Sequence, residues 1–288
     1  MKKTFRLLGV ALVATAMVFV GCNKNEDEEE EEEYSLEVNA PETPSNKSVL
    51  IEEFTGTGCG YCPDGHKMVN DLMAANPGKV FGVNIHTGTY ANRYTTSFGD
   101  SIDIEGGRKG SYPSISINRH VFTGTTTSMN RSYTARYTNQ ALSMPACANI
   151  AAKAAIDKST RELTVNVAVY YTGTPTGTTN RINVAILEDS IWGPQSDYGE
   201  GDGYNPTQWN AEHTQYCHMH MLRHLVTGQW GDAITPVVGQ QIKKEYKYTL
   251  PATISNVTVV PEHLHLVVFL CEGHQEVINS CAATIKVK

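Results

Sequence analysis

Short apolar runs alternate with helix-like segments in the first half of the chain. Each predicted strand is a compact apolar run bounded by turn residues, and each predicted helix has apolar residues at helical spacing. The strands are predicted at 48–54, 79–86 and 112–119, and the helices at 62–76, 98–108 and 128–144. This alternation predicts a small α/β domain over residues 48–144.

The pattern changes at Pro145, where β-branched residues begin to alternate with polar ones. Segments such as "ELTVNVAVYYTG" and "HLHLVVFLCEG" are typical of strands, and turn clusters separate them. The pattern predicts an all-β sandwich over residues 145–288. One long exception is the Gly-, Pro- and aromatic-rich segment 191–216, and a loop of that length is usually functional or forms a lid.

The N-terminus has the features of an export signal. Basic residues precede an apolar run at 7–20, which is too short to span a bilayer and ends at Gly21 and Cys22. The small residue followed by cysteine resembles the lipobox of bacterial lipoproteins, with Phe19 where Leu is usual. The resemblance implies a signal peptide at 1–21 and a lipidated Cys22, whose acyl chains would anchor the protein to a membrane. The alternative is an ordinary signal peptide cut near Gly21.

An unbroken acidic run at 26–33 accounts for the formal charge of −7 and leaves the rest of the chain near neutral. Like charges in a block repel one another, so residues 22–47 are predicted to be a disordered tether. The run resembles the acidic signal that sends lipoproteins of Bacteroides-type bacteria to the outer face of the outer membrane. We therefore expect a cell-surface outer membrane lipoprotein. No basic stripe indicates a nucleic-acid partner.

Cys59 and Cys62 lie in the segment "TGTGCGYCPDG", between a predicted strand and a predicted helix. A helix N-terminus stabilises a thiolate, so Cys59 is the expected attacking sulfur and Cys62 the resolving one. Three interpretations compete: a redox pair, half of a zinc site and a static crosslink. Structural zinc needs four ligands and the sequence has no second C-x-x-C, while so short a crosslink removes little unfolded-state entropy. The redox pair is favoured, and no metal or cofactor is predicted.

The same stretch, "VLIEEFTGTGCGYCP", resembles the active-site segment of thioredoxins. The resemblance implies that Glu53 is a buried acid that handles the proton of the resolving cysteine. It also implies that Pro113 is a cis-proline that lies against the cysteines and presents backbone to a substrate. Pro63 follows the second cysteine, as in that family, but Gly58 stands where thioredoxins usually have Trp. The implied partners are protein thiols or disulfides.

Over nearly its full length beyond the tether, the chain is similar to a family of outer membrane lipoproteins from Bacteroides-type bacteria. The family is named for a 28-kilodalton outer membrane protein, and the motifs "EEFTGTGCGYCP" and "ILEDSIWGPQ" carry the likeness. It implies an α/β thioredoxin-like domain followed by an all-β immunoglobulin-like sandwich domain. Two functions stay open: a thiol–disulfide oxidoreductase acting on exported or surface proteins, and a non-catalytic binding or adhesion lipoprotein that keeps the first domain as a scaffold.

Histidines cluster near the end of the long loop, and acids in and before the loop could complete a metal site with them. The histidines are His213, His218, His220 and His224, and the acids are Glu188, Asp189 and Asp202. The plainer interpretation, ring hydrogen bonds to the loop, is favoured, and no metal site is predicted. His86, at the end of a predicted strand, would tune the thiolate, contact substrate or be a solvated loop histidine, and the last of these is favoured.

Four further cysteines are candidates for structural disulfides, because exported proteins meet an oxidising environment. Cys271 and Cys281 end and begin successive predicted strands, so a hairpin crosslink is expected there. Cys147 and Cys217 form the remaining pair. Each bond would contribute roughly 2–4 kcal/mol to stability.

Overall fold

The alternation of strands and helices in the first region appears in the computed structural model, which describes residues 34–107, 111–175 and 177–288. The strands are β1 (Val49–Thr55), β2 (Val80–His86), β3 (Ser114–Ile117) and β4 (Ser128–Asn130), and the helices are α1 (Cys62–Ala75), α2 (Gly99–Glu105) and α3 (Thr134–Leu142). Every residue of β1 and β2 is buried, as expected for strands covered on both faces. The predicted signal peptide 1–21, Cys22 and the acidic run lie outside the described residues.

The segment predicted as one helix at 128–144 is three elements. It begins as the strand β4, continues as a 3₁₀ turn at Arg131–Tyr133 and only then becomes α3. The side chain of Asn130 accepts a hydrogen bond from the backbone N–H of Ser132, so it caps the turn and moves the helix start downstream.

Strands make up nearly all of the second region. They are β5 (Ala148–Asp157), β6 (Glu162–Tyr171), β7 (Asn180–Glu188), β8 (Ile191–Gly193), β9 (Tyr216–His218), β10 (Met221–Leu225), β11 (Asp232–Ile234), β12 (Gln241–Thr249), β13 (Thr253–Ile254), β14 (Val257–Thr258), β15 (Leu264–Glu272) and β16 (Val277–Val287). Strands β8 and β9 form a small separate sheet within the long loop, and β13 pairs with β14.

One mixed sheet of 12 strands runs through both regions, in the order β12-β6-β5-β16-β15-β7-β10-β2-β1-β3-β4, with β11 paired to β7. Strand β10 is the connection: it is antiparallel to β7 on one side and parallel to β2 on the other. Met221 pairs with Asn84 of β2, and the N–H of Asn84 donates to the carbonyl oxygen of His220 at 2.8 Å.

The predicted fold class, an α/β thioredoxin-like domain followed by an all-β immunoglobulin-like sandwich, is wrong. The two regions do not build separate sheets, because the edge that β2 would leave open is paired by β10. They also share one apolar core, in which Leu50 and Phe81 of the first region pack with Ala185, Leu187 and Phe269 of the second. The described structure is dominated by this single sheet.

Residues from Ser35 to Lys288 form one compact unit. The boundary between 144 and 145 stays a prediction, and it falls between α3 and β5 within that unit. Among the residues described, no helix combines the length and the apolar composition that crossing a membrane requires.

Neither predicted structural disulfide is formed, and all four cysteines are free thiols. In the β15–β16 ladder Cys281 pairs with Val268, whereas Cys271 pairs with Val277, so the two thiols lie on different rungs. They also belong to different apolar clusters. Cys217 pairs with Trp192 in the small β8–β9 sheet, whereas Cys147 packs against the main core beside β5, which separates the second pair.

Candidate functional site

A disulfide joins Cys59 to Cys62 in the turn that leads from β1 into α1. The turn is closed by hydrogen bonds from the N–H of Cys59 to the carbonyl of Gly56 at 3.0 Å and from the N–H of Cys62 to the carbonyl of Cys59 at 3.1 Å. Cys59 is 5% exposed and Cys62 is fully buried. The disulfide is therefore positioned at a helix N-terminus but is shielded from solvent.

Residues 195–198 of the long loop, here called the cover segment, shield the disulfide. The N–H of Ser196 donates to the carbonyl of Thr57 at 2.8 Å, and the N–H of Tyr198 donates to that of Gly60 at 2.9 Å. The side-chain amide of Gln195 donates to the carbonyl of Cys59 at 3.0 Å. The sequence permits this contact because a side chain at Gly60 would collide with the Tyr198 ring.

Aromatic and charged side chains hold the outer surface of the cover. The ring of Tyr61, between the two cysteines, lies edge-on to Tyr198 at 5.3 Å and near Tyr204 at 6.1 Å. The guanidinium of Arg131 stacks 5.3 Å from the Tyr61 ring and donates to Asp64 at 2.6 Å. Opening the cover would break the contact between Tyr198 and Tyr61, whose ring Arg131 holds in place.

Glu53 lies beneath the start of α1 and is fully buried. Neither carboxyl oxygen has a hydrogen-bond partner among the described residues. A side chain at Gly65 would collide with Oε1 of Glu53 and with Pro113, so the carboxyl contacts the helix within one turn of Cys62. Burial, reinforced by the charge of Asp64, raises the pKa of Glu53 well above its ordinary value, which favours the protonated acid.

A second buried polar group on α1 is His66, four residues after Cys62. Its Nε2 lies 2.9 Å from Thr55 Oγ1, and its Nδ1 lies 2.9 Å from the hydroxyl of Tyr216. The Tyr216 hydroxyl donates its one proton to Gln208 at 2.5 Å, so it must accept from His66 Nδ1–H, and Nε2 must accept from Thr55. Burial lowers the pKa of His66 to about 3, so the ring is neutral.

The buried rings continue from Tyr216 to His218, His86 and Tyr94, with centroid separations of 5.1 to 5.4 Å. In the part of the chain that the structure describes, neither ring nitrogen of His86 has a hydrogen-bond partner, and Nδ1 of His218 has none. Burial lowers the pKa of His218 to about 4 and that of His86 well below its ordinary value. His86 is thus a buried neutral ring and not a solvated loop histidine.

The other predicted histidines are dispersed. His213 stacks on Trp209 in the loop, and His224 stacks on Tyr248 at 4.2 Å. His220 turns away from His218 and lies beside Asp189 and His265. His66 and His265, which sequence reasoning missed, are both functional candidates; the one signal for His66 was its spacing of four from Cys62 on a helix.

The remaining predicted residue, Pro113, follows a cis peptide bond from Tyr112. Its ring lies against Gly65, where an added side chain would collide with it. The structure thus brings Cys59, Cys62, Glu53 and Pro113 together around the first turns of α1. Their catalytic roles stay predictions.

An open groove of about 840 Å³ lies on the far side of Tyr94. Its walls include Arg93, Glu188, Trp192 and Val257, and the Trp192 side chain is half exposed. Tyr94 lines the groove and also contacts His86, so it separates the groove from the buried rings.

The family model described as outer membrane protein Omp28 matches residues 94–288. The chain belongs to the Omp28 outer membrane protein family. This membership confirms the predicted family and the predicted outer membrane localisation. Lipidation at Cys22 and exposure at the cell surface stay predictions.

Solved structures show what this Omp28-family chain is similar to. HBP35 of Porphyromonas gingivalis is 16% identical, with 84% of this chain and 76% of that chain covered and a TM-score of 0.61, which shows a similar fold. A domain of the outer membrane lipoprotein Omp28 from Porphyromonas gingivalis is 19% identical, covers 50% of this chain and 91% of its own, and has a TM-score of 0.32. A comparison with curated protein sequences found no match.

Proposed function

We propose that this chain is a membrane-anchored thiol–disulfide oxidoreductase that acts on exported or surface proteins. The observation that carries the proposal is the buried carboxyl of Glu53, which has no hydrogen-bond partner among the described residues and contacts α1 within one helical turn of Cys62. A buried carboxyl without a hydrogen-bond partner destabilises a fold, so its place beside the disulfide favours a role in proton transfer.

The exchange begins from the disulfide form. A thiolate of a substrate dithiol attacks Sγ of Cys59, the Cys59–Cys62 bond breaks, and Cys62 leaves as a thiolate. Glu53 in its protonated form supplies the proton that neutralises Cys62. The second substrate thiol gives its proton to the Glu53 carboxylate and, as a thiolate, attacks the substrate sulfur of the mixed disulfide. The bond to Cys59 breaks and Cys59 leaves as a thiolate, so the substrate departs oxidised and Cys59 and Cys62 remain as a reduced pair. The reverse sequence reduces a substrate disulfide.

Access to Cys59 requires the cover segment to move, because the sulfur is shielded by backbone contacts from Ser196 and Tyr198. A substrate protein would take over the carbonyl groups of Thr57 and Gly60 that the cover segment now occupies. Such exchange of one extended backbone for another is a common mode of peptide recognition. The cover would make the enzyme selective for partners that displace it.

The test is a single-turnover exchange between the oxidised protein and a dithiol peptide, followed by mass spectrometry. We expect the oxidised chain to transfer one disulfide to the dithiol peptide. Cys62→Ser, given the oxidised form of the same peptide, should accumulate the mixed disulfide at Cys59, because Cys59 attacks the peptide disulfide and no second thiol of the chain resolves it. The reference is an unfolded peptide of sequence Cys-Gly-Tyr-Cys. An exchange rate no faster than that of the reference peptide would overturn the proposal.

A non-catalytic surface lipoprotein is the second candidate, and the groove beside Trp192 favours it. Burial of both sulfurs would then reflect a static crosslink, and binding would occur in the groove. The two candidates separate in a Cys59→Ser, Cys62→Ser double variant. A binding protein keeps its function in that variant, whereas an oxidoreductase loses it.

The membrane attachment is proposed to be the lipid on Cys22. Cys22→Ser would release the protein from membranes. Protease added to intact cells tests the surface location, because a protein on the inner face would stay intact until the cells are lysed.

A further inference from the structure

The ends of β7, β10 and β15 bring two histidines and one carboxylate together. Glu188, the last residue of β7, pairs with Met221 of β10 and with Leu264 of β15. Residues next to that common rung must therefore be neighbours in space. They are Asp189, His220 and His265, which are far apart in the sequence.

The separations between the polar atoms of this cluster are those of ligands around one metal ion. His220 Nδ1 lies 3.3 Å from Asp189 Oδ1 and 3.3 Å from His265 Nε2. Zinc–nitrogen bonds of about 2.1 Å in a tetrahedral site place neighbouring ligand atoms roughly 3.4 Å apart. One ligand atom from each of the three residues fits within 4.8 Å of the others.

Hydrogen bonding alone explains the arrangement less well. The two ring-to-carboxylate contacts measure 3.3 and 3.5 Å, which is longer than the usual range for N–H···O bonds, and the two rings approach each other at 3.3 Å between nitrogens. The short bond at this position, 2.6 Å, runs instead from the backbone N–H of His220 to Asp189 Oδ1. That bond fixes the carboxylate, whose second oxygen, Oδ2, lies 3.5 Å from Nδ1 of His265.

The cluster is also preorganised and open. The carbonyl of His220 accepts from the N–H of Asn84 at 2.8 Å, and the N–H of Asp189 donates to the carbonyl of His263 at 3.0 Å, so the backbone of both residues is held in place. The three side chains are 17 to 31% exposed. An ion could enter from solvent and keep at least one water ligand.

We propose that Asp189, His220 and His265 bind one divalent transition-metal cation of the zinc type. Two imidazoles and one carboxylate are borderline ligands, which favour Zn²⁺, Co²⁺ or Ni²⁺ over the hard cations Mg²⁺ and Ca²⁺. The thiol of Cys217 lies outside the set; its Sγ contacts the thioether of Met219 at 3.7 Å. The site is separate from the disulfide and does not depend on the proposed redox function.

The test is titration of the full oxidised chain with Co²⁺, read from its visible absorption and from isothermal calorimetry. We expect one saturable site per chain with the intense absorption of four- or five-coordinate cobalt. His220→Gln and His265→Gln should each weaken binding by at least about tenfold, since even changes around metal ligands have effects of this size. His274→Gln and Cys217→Ser are matched controls that should bind like the wild type.

The acidic run is a competing site, and the spectrum distinguishes it. Carboxylates alone give six-coordinate cobalt, whose absorption is weak, and that signal would persist in His265→Gln. Circular dichroism verifies that each variant is folded, and Asp189→Asn replaces any variant that is not. No saturable cobalt spectrum in the wild type, or an unchanged spectrum in both histidine variants, would overturn the assignment.

Discussion

The carboxyl of Glu53 is buried without a hydrogen-bond partner among the described residues, and its Oε1 lies 3.9 Å from His66 Nε2. Its raised pKa has a definite consequence for stability. The folded state holds the proton at pH values where the unfolded state has lost it, so the stabilising effect is complete below the unfolded pKa and is lost as pH rises toward the folded pKa.

Glu53→Gln removes this dependence of stability on pH. We expect the wild type to lose about 1.4 kcal/mol per pH unit relative to the variant, from pH near 4.5 upward until the folded pKa is passed. Urea unfolding of both proteins at several pH values measures the difference. Glu42→Gln, at an exposed position, is the control. A constant difference between wild type and Glu53→Gln across pH would show that Glu53 is ionised in the folded protein.

The buried histidines give stability the opposite dependence on pH. His66 and His218, with pKa values lowered to about 3 and about 4, stay neutral in the folded state while the unfolded chain protonates near pH 6.5. Stability is therefore full above that pH and is lost as pH falls toward the folded values.

His218→Gln should reduce the slope of stability against pH, between pH 6.5 and 4.5, by about 1.4 kcal/mol per unit. Glutamine can still donate to the carbonyl of Pro194, which His218 now contacts at 3.3 Å. His213→Gln, in the exposed part of the loop, serves as the reference. Equal slopes for the wild type and both variants would mean that His218 is solvated.

The residue-level chemistry was only partly readable from the sequence. The spacing of Cys59 and Cys62 between a strand and a helix indicated a disulfide at a helix start, and the structure contains it. The burial of His66 and its chain to Tyr216 were not predictable, because the partner comes from a loop 150 residues away. The free state of Cys271 and Cys281 depends on strand register, which periodicity does not reveal.

At the level of elements, the cover segment is the feature that decides access to the disulfide. The side-chain nitrogen of Gln195 lies 3.3, 3.0 and 3.0 Å from the carbonyl oxygens of Gly56, Cys59 and Ser196, which share its two N–H groups. The contacts to Gly56 and Cys59 tie the loop to the cysteine turn. Each such bond contributes about 1 kcal/mol net.

Gln195→Ala should therefore raise the rate at which dithiothreitol reduces the Cys59–Cys62 disulfide, by about tenfold for a loss of about 1.4 kcal/mol from the closed state. Thiol trapping and mass spectrometry follow the reaction. Gln229→Ala is the matched control, because Gln229 makes a similar bond to the carbonyl of Phe98 away from the site. If both variants react like the wild type, the cover segment does not limit access.

Element positions were the most predictable part of the fold. The predicted strands at 48–54 and 79–86 correspond to Val49–Thr55 and Val80–His86, because a compact apolar run between turn residues is a strong local signal. The predicted helix at 128–144 was only partly right, since the capping role of Asn130 starts the helical backbone later than its apolar spacing suggested.

On the scale of the whole molecule, the continuous sheet predicts that both regions unfold together. Strand β10 joins them through its pairing with β2 and β7, and the shared core contains Phe54 and Ile85 from one region and Leu222 and Val267 from the other. We expect a single calorimetric transition, with equal van't Hoff and calorimetric enthalpies. Two separate transitions would instead support independent domains divided near residue 144.

The sequence could not predict that one continuous sheet runs through both regions. Each strand of the second region shows its own alternation, but the pairing of β10 with β2 depends on Met221 and Asn84, which are distant in the chain. Resemblance to a redox family suggested a separate first domain, and long-range register overrode that expectation. The site, by contrast, depends mainly on the local strand–turn–helix segment around Cys59.

The reduction potential of the Cys59–Cys62 disulfide tests the redox account most directly. It is measured by equilibrating the full chain with dithiothreitol or glutathione buffers and quantifying the reduced and oxidised forms by mass spectrometry. An oxidoreductase predicts a potential well above about −300 mV, within the range of catalytic pairs, whereas a value below about −300 mV, typical of structural crosslinks, would contradict the account.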